Sequence, residues 1–274
     1  VSGSSLSAAL AHAKINLALV VGAPREDGKH ELAIVYQRVG LSDRIELERA
    51  DELEVTGFAD TIVRSALESL AARAGVEHRW RVSIDKRVPV AAGLGGGSSD
   101  AASALRLANE TLAEPLTLSE LIELARSLGA DIPFFLCDGP QLGAGDGTEL
   151  VPIELPQSYA VLLLLPGGEV KSSTGDVYRA FDERGGERGF SDRRAALFEA
   201  LESVHRPADL ARLPENDLAS SPMSELLLGF GAFRADVCGA GPAVYGLFES
   251  REEAGRIAKL VADEGWVWVT EPAW

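Results

Sequence analysis

The chain is poor in the residues that hold metals, form cross-links or grip polyanions. Its 274 residues include two cysteines, four histidines and one methionine. Cys137 and Cys238 stand far apart and form no paired-thiol motif, which leaves one disulfide possible and reduced thiols of a cytoplasmic protein expected. His12, His30, His78 and His205 show no metal-ligand spacing. Basic residues are scarce: 26 Lys and Arg face 42 Asp and Glu, a net charge of −16. That balance argues against nucleic acid as a partner, which needs a basic face, and against adhesion to an anionic membrane. No apolar run approaches the ~18 residues of a membrane span. The longest, Ala160-Val-Leu-Leu-Leu-Leu-Pro166, has the length of a buried strand. The opening Val1-Ser-Gly-Ser-Ser carries no basic residue, so no secretory signal is expected.

What remains is globular: 46% hydrophobic and 25% charged residues, long enough for one large domain or two medium ones. One segment stands out. Pro89-Val-Ala-Ala-Gly-Leu-Gly-Gly-Gly-Ser-Ser99 places four glycines within five residues, and Asp100-Ala-Ala-Ser-Ala-Leu-Arg-Leu-Ala follows as a predicted helix. Backbone stripped of side chains can turn its N–H groups onto an anion, and the helix start adds its positive dipole end. Such a run can also be a plain turn, but its place between a strand-like stretch and an Ala-rich helix favours phosphate. No Lys-Ser or Lys-Thr follows the glycines, so it is not a Walker A loop. Ser98 stands where a dinucleotide fingerprint needs Gly or Ala.

Strands are predicted at 12–22, at 32–40 and 44–49 joined through Ser42-Asp43, and at Arg79–Ile84. A helix over Thr61–Ala74 stops at Gly75, and Thr117-Leu-Ser-Glu120 reads as a capping box opening a helix to Leu128. Pro133 prevents that helix from running on. Short strands follow near Gln141–Leu142 and Glu149–Ile153, and a domain boundary is expected near Leu155–Ser158. Beyond it come strands at 160–165, 235–237, 244–248 and 266–270, and helices at 174–183, 192–204, 222–231 and 251–264. This irregular mixture reads as α+β and not as a doubly wound parallel sheet.

Three segments in order, Ala13-Lys-Ile-Asn-Leu17, the glycine run and Gly239-Ala-Gly-Pro-Ala243, resemble the GHMP small-molecule kinases. Four more, Asp27-Gly-Lys-His-Glu-Leu32, Ser83-Ile-Asp-Lys-Arg-Val-Pro89, Gly129-Ala-Asp-Ile-Pro133 and Asn216-Asp-Leu218, are similar to one branch of that superfamily. Its members phosphorylate the 2-hydroxyl of 4-diphosphocytidyl-2-C-methyl-D-erythritol in the non-mevalonate isoprenoid pathway. The resemblance implies a two-domain α+β GHMP kinase fold, residues 1–155 and a ferredoxin-like 156–274, with the active site in the cleft between them. It implies ATP and Mg²⁺, a cytidine diphosphate-linked polyol as the small-molecule substrate, and a monomer or weak homodimer.

The resemblance also assigns roles. Pro89, Val90, Ala91, Ala92, Gly93, Leu94, Gly95, Gly96, Gly97, Ser98 and Ser99 would hold ATP, with Ser99 a possible Mg²⁺ ligand and the serines otherwise caps of the helix. Asp131 would take the proton of the attacking hydroxyl; an alcohol is a poor nucleophile, and a carboxylate in reach can orient it and accept its proton. Lys14 lies in an apolar strand where a lone ammonium is costly, so an anion should lie near its tip. It would keep Asp131 ionised and offset charge on the transferred phosphate. Asn16, on the same strand face, would bond the substrate diol. His30, Thr174 and Tyr178 would bind the cytidine. Lys29 stands where relatives often carry an aromatic, and Cys238 where they usually carry Ser or Thr. The alternatives are another GHMP kinase, with homoserine, mevalonate or a sugar as acceptor, and a regulator that binds nucleotide without transferring phosphate.

Overall fold

A computed structural model describes residues 6–58, 62–77, 79–168 and 173–274. The expectations for Val1 to Ser5, Thr61, His78 and Ser172 fall outside the described residues. The chain divides into two compact units, neither of them contiguous in sequence. The first holds residues up to Ala13, Leu41–Val90 and Gly95–Asp138; the second holds Lys14–Gly40, Ala91–Leu94 and Gly139–Trp274. Two long strands, β1 (Ser7–Pro24) and β2 (His30–Arg49), pair with each other and contribute residues to both units.

In the first unit, residues 44–49 of β2 run antiparallel to β4 (Trp80–Asp85), and the short β3 (Glu54–Thr56) runs parallel to β4. Strand β4 alternates strictly, turning Trp80, Val82 and Ile84 inward as a one-faced strand requires. Helix α1 (Val63–Ala74) buries Val63, Ala66, Leu67, Leu70 and Ala71 at helical spacing, and Gly75 ends it in the left-handed conformation. Helix α2 (Gly96–Glu110) buries an Ala- and Leu-rich face, whose small side chains suit close helix packing. Helix α3 (Leu118–Leu128) opens on the expected capping box, with Thr117 and Glu120 satisfying each other's backbone N–H groups. Helix α4 (Ile132–Leu136) is wholly buried.

In the second unit, residues 32–36 of β2 pair antiparallel with β5 (Gln141–Gly145), which pairs with β6 (Glu149–Pro152). A four-stranded antiparallel sheet follows, from β7 (Ala160–Pro166), β8 (Arg234–Val237), β9 (Val244–Phe248) and β10 (Gly265–Thr270), in the order β10-β7-β9-β8. Helix α7 (Pro222–Gly229) supplies Leu227, and α8 (Arg251–Leu260) supplies Ala254 and Ile257, to a core with Leu162, Leu164, Val237, Val244 and Phe248. Helices α5 (Thr174–Glu183) and α6 (Phe190–Glu202) lie in the connection after β7. Among the described residues, no helix is long and apolar enough to cross a membrane.

Several expected boundaries shift, each for a physical reason. The strands foreseen at 32–40 and 44–49 are one strand, because Asp43 is not a turn residue. Its fully buried carboxylate takes Lys86 and the backbone N–H groups of Arg87 and Val88, which replace what a turn would offer. Helix α2 begins at Gly96, four residues before Asp100, with Gly95 as a left-handed cap. Pro133 does stop α3 from continuing, yet it sits in the first turn of α4, where its missing N–H costs nothing. Helix α6 begins at Phe190, and α8 closes into a short 3-10 turn, Ala262–Glu264. The strand at Glu54–Thr56 and a 3-10 turn at Pro207–Arg212 carry no periodic signal in the sequence.

Candidate active site

In the second unit, strand β1 carries Lys14 and Asn16, both buried. The Lys14 ammonium donates to Asn16 Oδ1 at 2.8 Å and lies 5.9 Å from the Tyr36 ring centre, so the buried cation meets a dipole and a π-face. Two residues apart on one strand, the side chains share a face, which is what lets them bond.

The first part of the glycine run is fastened beside them. Lys14 N–H donates to the Leu94 carbonyl at 2.9 Å, and Ala243 N–H donates to the Ala92 carbonyl at 3.1 Å. The turn after β8 closes on itself, with Cys238 N–H on the Ala243 carbonyl at 2.7 Å and a cis bond at Gly241-Pro242. Gly93 has φ +84°, and a Cβ there would stand 2.0 Å from the Cys238 carbonyl oxygen, so only glycine fits. Ala91, with φ +62°, sits in the left-handed region without glycine's freedom. At Gly239 a Cβ would touch Lys14 Nζ and Asn16 Oδ1, each at 3.4 Å, so this turn backs the Lys14–Asn16 pair.

Asn216-Asp-Leu218 ties the same region together. The Asn216 side-chain amide donates to the carbonyls of Val237 and Gly239, at 3.0 and 2.6 Å. Asp217 accepts from Val21 N–H on β1 and from Arg193. Asp236 receives Asn216 N–H, and burial pushes its carboxyl up to about 6 although Arg234 pulls it down. Cys238 is fully buried, and burial raises its thiol well above the ordinary range, so it stays protonated and packs.

Elsewhere in this unit, His30 Nε2 lies 2.8 Å from Asp182 Oδ1. The Tyr178 ring lies tilted over His30 with centres 4.7 Å apart, and Phe181 meets it edge-on. His30 and Tyr178, singled out separately in the sequence, are thus brought into contact. Thr174 is exposed at the first turn of α5, behind the Ser173–Asp176 capping box, and shows no side-chain hydrogen bond among the described residues. Lys29 is held by Asp146 at 2.5 Å. Burial works against ionisation of Asp146, but Lys29 and Thr148 outweigh it and hold its carboxyl below the usual range.

In the first unit, the glycine run passes into α2. Gly95 caps the helix with φ +70°, and Ser99 N–H returns to the Gly95 carbonyl at 2.9 Å. Gly97 is exposed, and no described residue lies within 4 Å of where its Cβ would be. Glycine costs about 1 kcal/mol against alanine inside a helix. No atom of the described residues demands it here, so the open space fits a ligand drawn up to the backbone. Ser98 is half-buried and Ser99 buried. Behind the turn, Lys86 bridges Asp43 at 2.6 Å and Asp100 at 2.7 Å. Burial pushes the Asp100 carboxyl up to about 7 against the pull of Lys86, and the Asp43 charge adds to the rise. Asp131 stands half-buried at the entrance to α4, against the apolar Ile132–Leu136.

The sequence did not single out Asp43, Lys86 and Asp100, Asp182 against His30, or the bracing role of Asn216. Lys86 and Asn216 lie in segments that carried the resemblance; the acids lack any local pattern. Among the described residues, no three His, Cys, Asp or Glu side chains gather into a metal-holding group.

Known proteins bear directly on this arrangement. Residues 61–139 match the GHMP kinases N terminal domain, and residues 197–265 match GHMP kinases C terminal. The 4-diphosphocytidyl-2-C-methyl-D-erythritol kinase of Anaeromyxobacter sp. (strain Fw109-5) is 38% identical over 273 residues, covering 93% of this chain and 86% of its own. That of Desulfitobacterium hafniense (strain Y51) is 36% identical, covering 95% and 93%. A crystal structure of 4-(cytidine 5'-diphospho)-2C-methyl-D-erythritol kinase superposes with a TM-score of 0.79 at 30% identity, over 98% of this chain and all of that one. A mevalonate kinase superposes at 0.77 but with 14% identity, a likeness of fold alone. Fold, glycine run and end-to-end identity agree, and the chain belongs to the GHMP kinase superfamily and, within it, to the 4-diphosphocytidyl-2-C-methyl-D-erythritol kinases.

Proposed function

We infer that this chain transfers the γ-phosphoryl group of ATP to the 2-hydroxyl of 4-diphosphocytidyl-2-C-methyl-D-erythritol. The observation that carries this is identity of 36–38% to kinases of that name over more than nine-tenths of the chain. In the transfer, the bond from the γ-phosphorus to the bridging oxygen breaks and ADP leaves. A bond from the acceptor oxygen to phosphorus forms, and the hydroxyl proton is given up. Little covalent work falls to the protein, so catalysis rests on positioning and charge.

The residue roles are part of the proposal. The run from Pro89 to Ser99 holds the phosphates through its backbone; the open face at Gly97 and the glycine-only contact at Gly93 support this. Asp131 accepts the hydroxyl proton, and its apolar wall supports a fixed carboxylate. Lys14, desolvated and already oriented by Asn16, offsets charge on the transferred group. His30 and Tyr178 take the cytosine, with Thr174 beside them. Asn16 contacts the acceptor's hydroxyls. Mg²⁺, when bound with ATP, would offset charge on the phosphates, and the Ser99 hydroxyl is a residue that could join its shell. The enzyme works in the cytoplasm. The sequence divides near Leu155–Ser158, between the stretches matching the N- and C-terminal family models; this is separate from the interleaved compact units.

A coupled ADP-release assay over a panel of alcohols tests the assignment. Turnover is expected with 4-diphosphocytidyl-2-C-methyl-D-erythritol, and little with homoserine, mevalonate or sugars. ADP released only with one of the others would overturn it.

A further inference from the structure

Two fully buried carboxylates, Asp43 and Asp100, share the single ammonium of Lys86 in the first unit. Only one cation faces the two acids, and Asp100 Oδ1 has no hydrogen-bond partner among the described residues. Buried ion clusters are commonly less stabilising than apolar side chains of similar volume. One with more acids than cations, set behind a segment meant for a polyanion, calls for a purpose other than stability.

The geometry points to one. Lys86 Nζ lies 2.9 Å from where a Cβ on Gly96 would stand, with Val88 at 3.0 Å. The ammonium is thus pressed against the first residue of α2. Asp100 ties it to the same helix one turn on, and Asp43 ties it to β2. The other oxygen of Asp43 receives the N–H groups of Arg87 and Val88, at 2.5 and 2.8 Å. Three pieces of backbone are therefore fixed on one cation: β2, the exit from β4, and the opening turn of α2. The glycine at position 96 is explained by the lysine, whereas its neighbour Gly97 faces open space.

We propose that Asp43, Lys86 and Asp100 are a positioning cluster that sets the first turn of α2 for the nucleotide's phosphates. This rests on the reading of the glycine run as the ATP-binding segment. Asp100→Ala is the informative variant, because it leaves Asp43 and Lys86 as a balanced pair and removes the unpartnered oxygen. Its melting temperature should hold or rise. Its dissociation constant for a Mg²⁺-bound non-hydrolysable ATP analogue should increase about tenfold, the worth of one charged hydrogen bond. KM for ATP should follow, with KM for the cytidyl substrate unchanged. Asp100→Asn keeps an oxygen for Lys86 and should recover most of the affinity.

Calorimetric titration of the three proteins, with thermal melts alongside, decides the matter. An Asp100→Ala protein that binds the analogue like wild type would overturn the proposal. So would one whose affinity falls only together with its melting temperature, or an Asn variant no better than Ala. Failure of the wild-type protein to bind the analogue would overturn the ATP-segment reading and the cluster's role with it.

Discussion

Asp131 is the residue on which turnover should depend most. Asp131→Asn preserves size and removes the base, and is expected to lower kcat by about 10²–10⁴-fold. The melting temperature should stay close to wild type, since the side chain is only half-buried and Asn keeps its size and polarity. Steady-state ADP release with a parallel melt measures both; near-normal turnover would leave Asp131 a mere helix-end residue. For Lys14 the sequence argument asks for an anion near its tip, because an ammonium amid apolar strand residues is costly; the hydrogen bond found within its unit goes instead to a neutral amide oxygen. The partner found within its unit, Asn16, is also one of the residues singled out. Asp43 and Asp100 were not legible, because a buried acid reads like a surface acid until its counter-ion is placed. Asp182 was hidden for the same reason: nothing in a helix sequence announces a bond to a histidine in a distant strand.

Among the elements, the glycine run and the helix it opens make the sharpest contrast. Gly93 and Gly97 are both glycines of one segment, yet opposite outcomes are expected on substitution by alanine. At Gly93 the φ of +84° and the 2.0 Å approach to the Cys238 carbonyl leave no room, so Gly93→Ala should shift the turn and destabilise the fold; by about 2–4 kcal/mol is the expected scale. At Gly97 the space is open and the backbone helical, so Gly97→Ala should hold or gain stability, by up to about 1 kcal/mol. It should nonetheless weaken ATP binding by filling the approach. Denaturant midpoints and nucleotide titrations on the two variants give the two signs. Element positions were largely readable because periodicity, the Thr117 capping box and Gly75 are local signals. The misses were non-local. Asp43 sits within one strand because a lysine elsewhere satisfies it, and α2 starts early because glycines accept helical backbone when their cap is in place.

For the whole molecule, the excess of 16 negative charges sets the response to salt. Self-repulsion should weaken as ionic strength rises from about 0.01 M to about 0.3 M, where the Debye length shrinks from roughly 30 Å to below 8 Å. The melting temperature near neutral pH should therefore climb with added salt, despite surface pairs such as Arg81 with Glu48 and Glu54 that salt would loosen. A melting temperature that falls would mean those pairs outweigh the global charge. Composition made this charge plain, and the motifs made the superfamily plain. The interleaving of the compact units was not visible, since no local residue pattern marks where β1 or β2 leaves one unit for the other.

That interleaving has a consequence for biosynthesis. The second unit needs Lys14–Gly40, a short piece around Ala91–Leu94, and everything from Gly139 onward. On the ribosome β1 and β2 can pair with each other early, but β5 and the strands of the four-stranded sheet are translated long afterwards. Val20, Val21 and Val35, all destined for the interior, must wait without full cover while half the polypeptide is still being made. Such nascent surface invites chaperones or clumping. A gene cut at any single point between Lys14 and Trp274 would leave the pieces of this unit on two fragments.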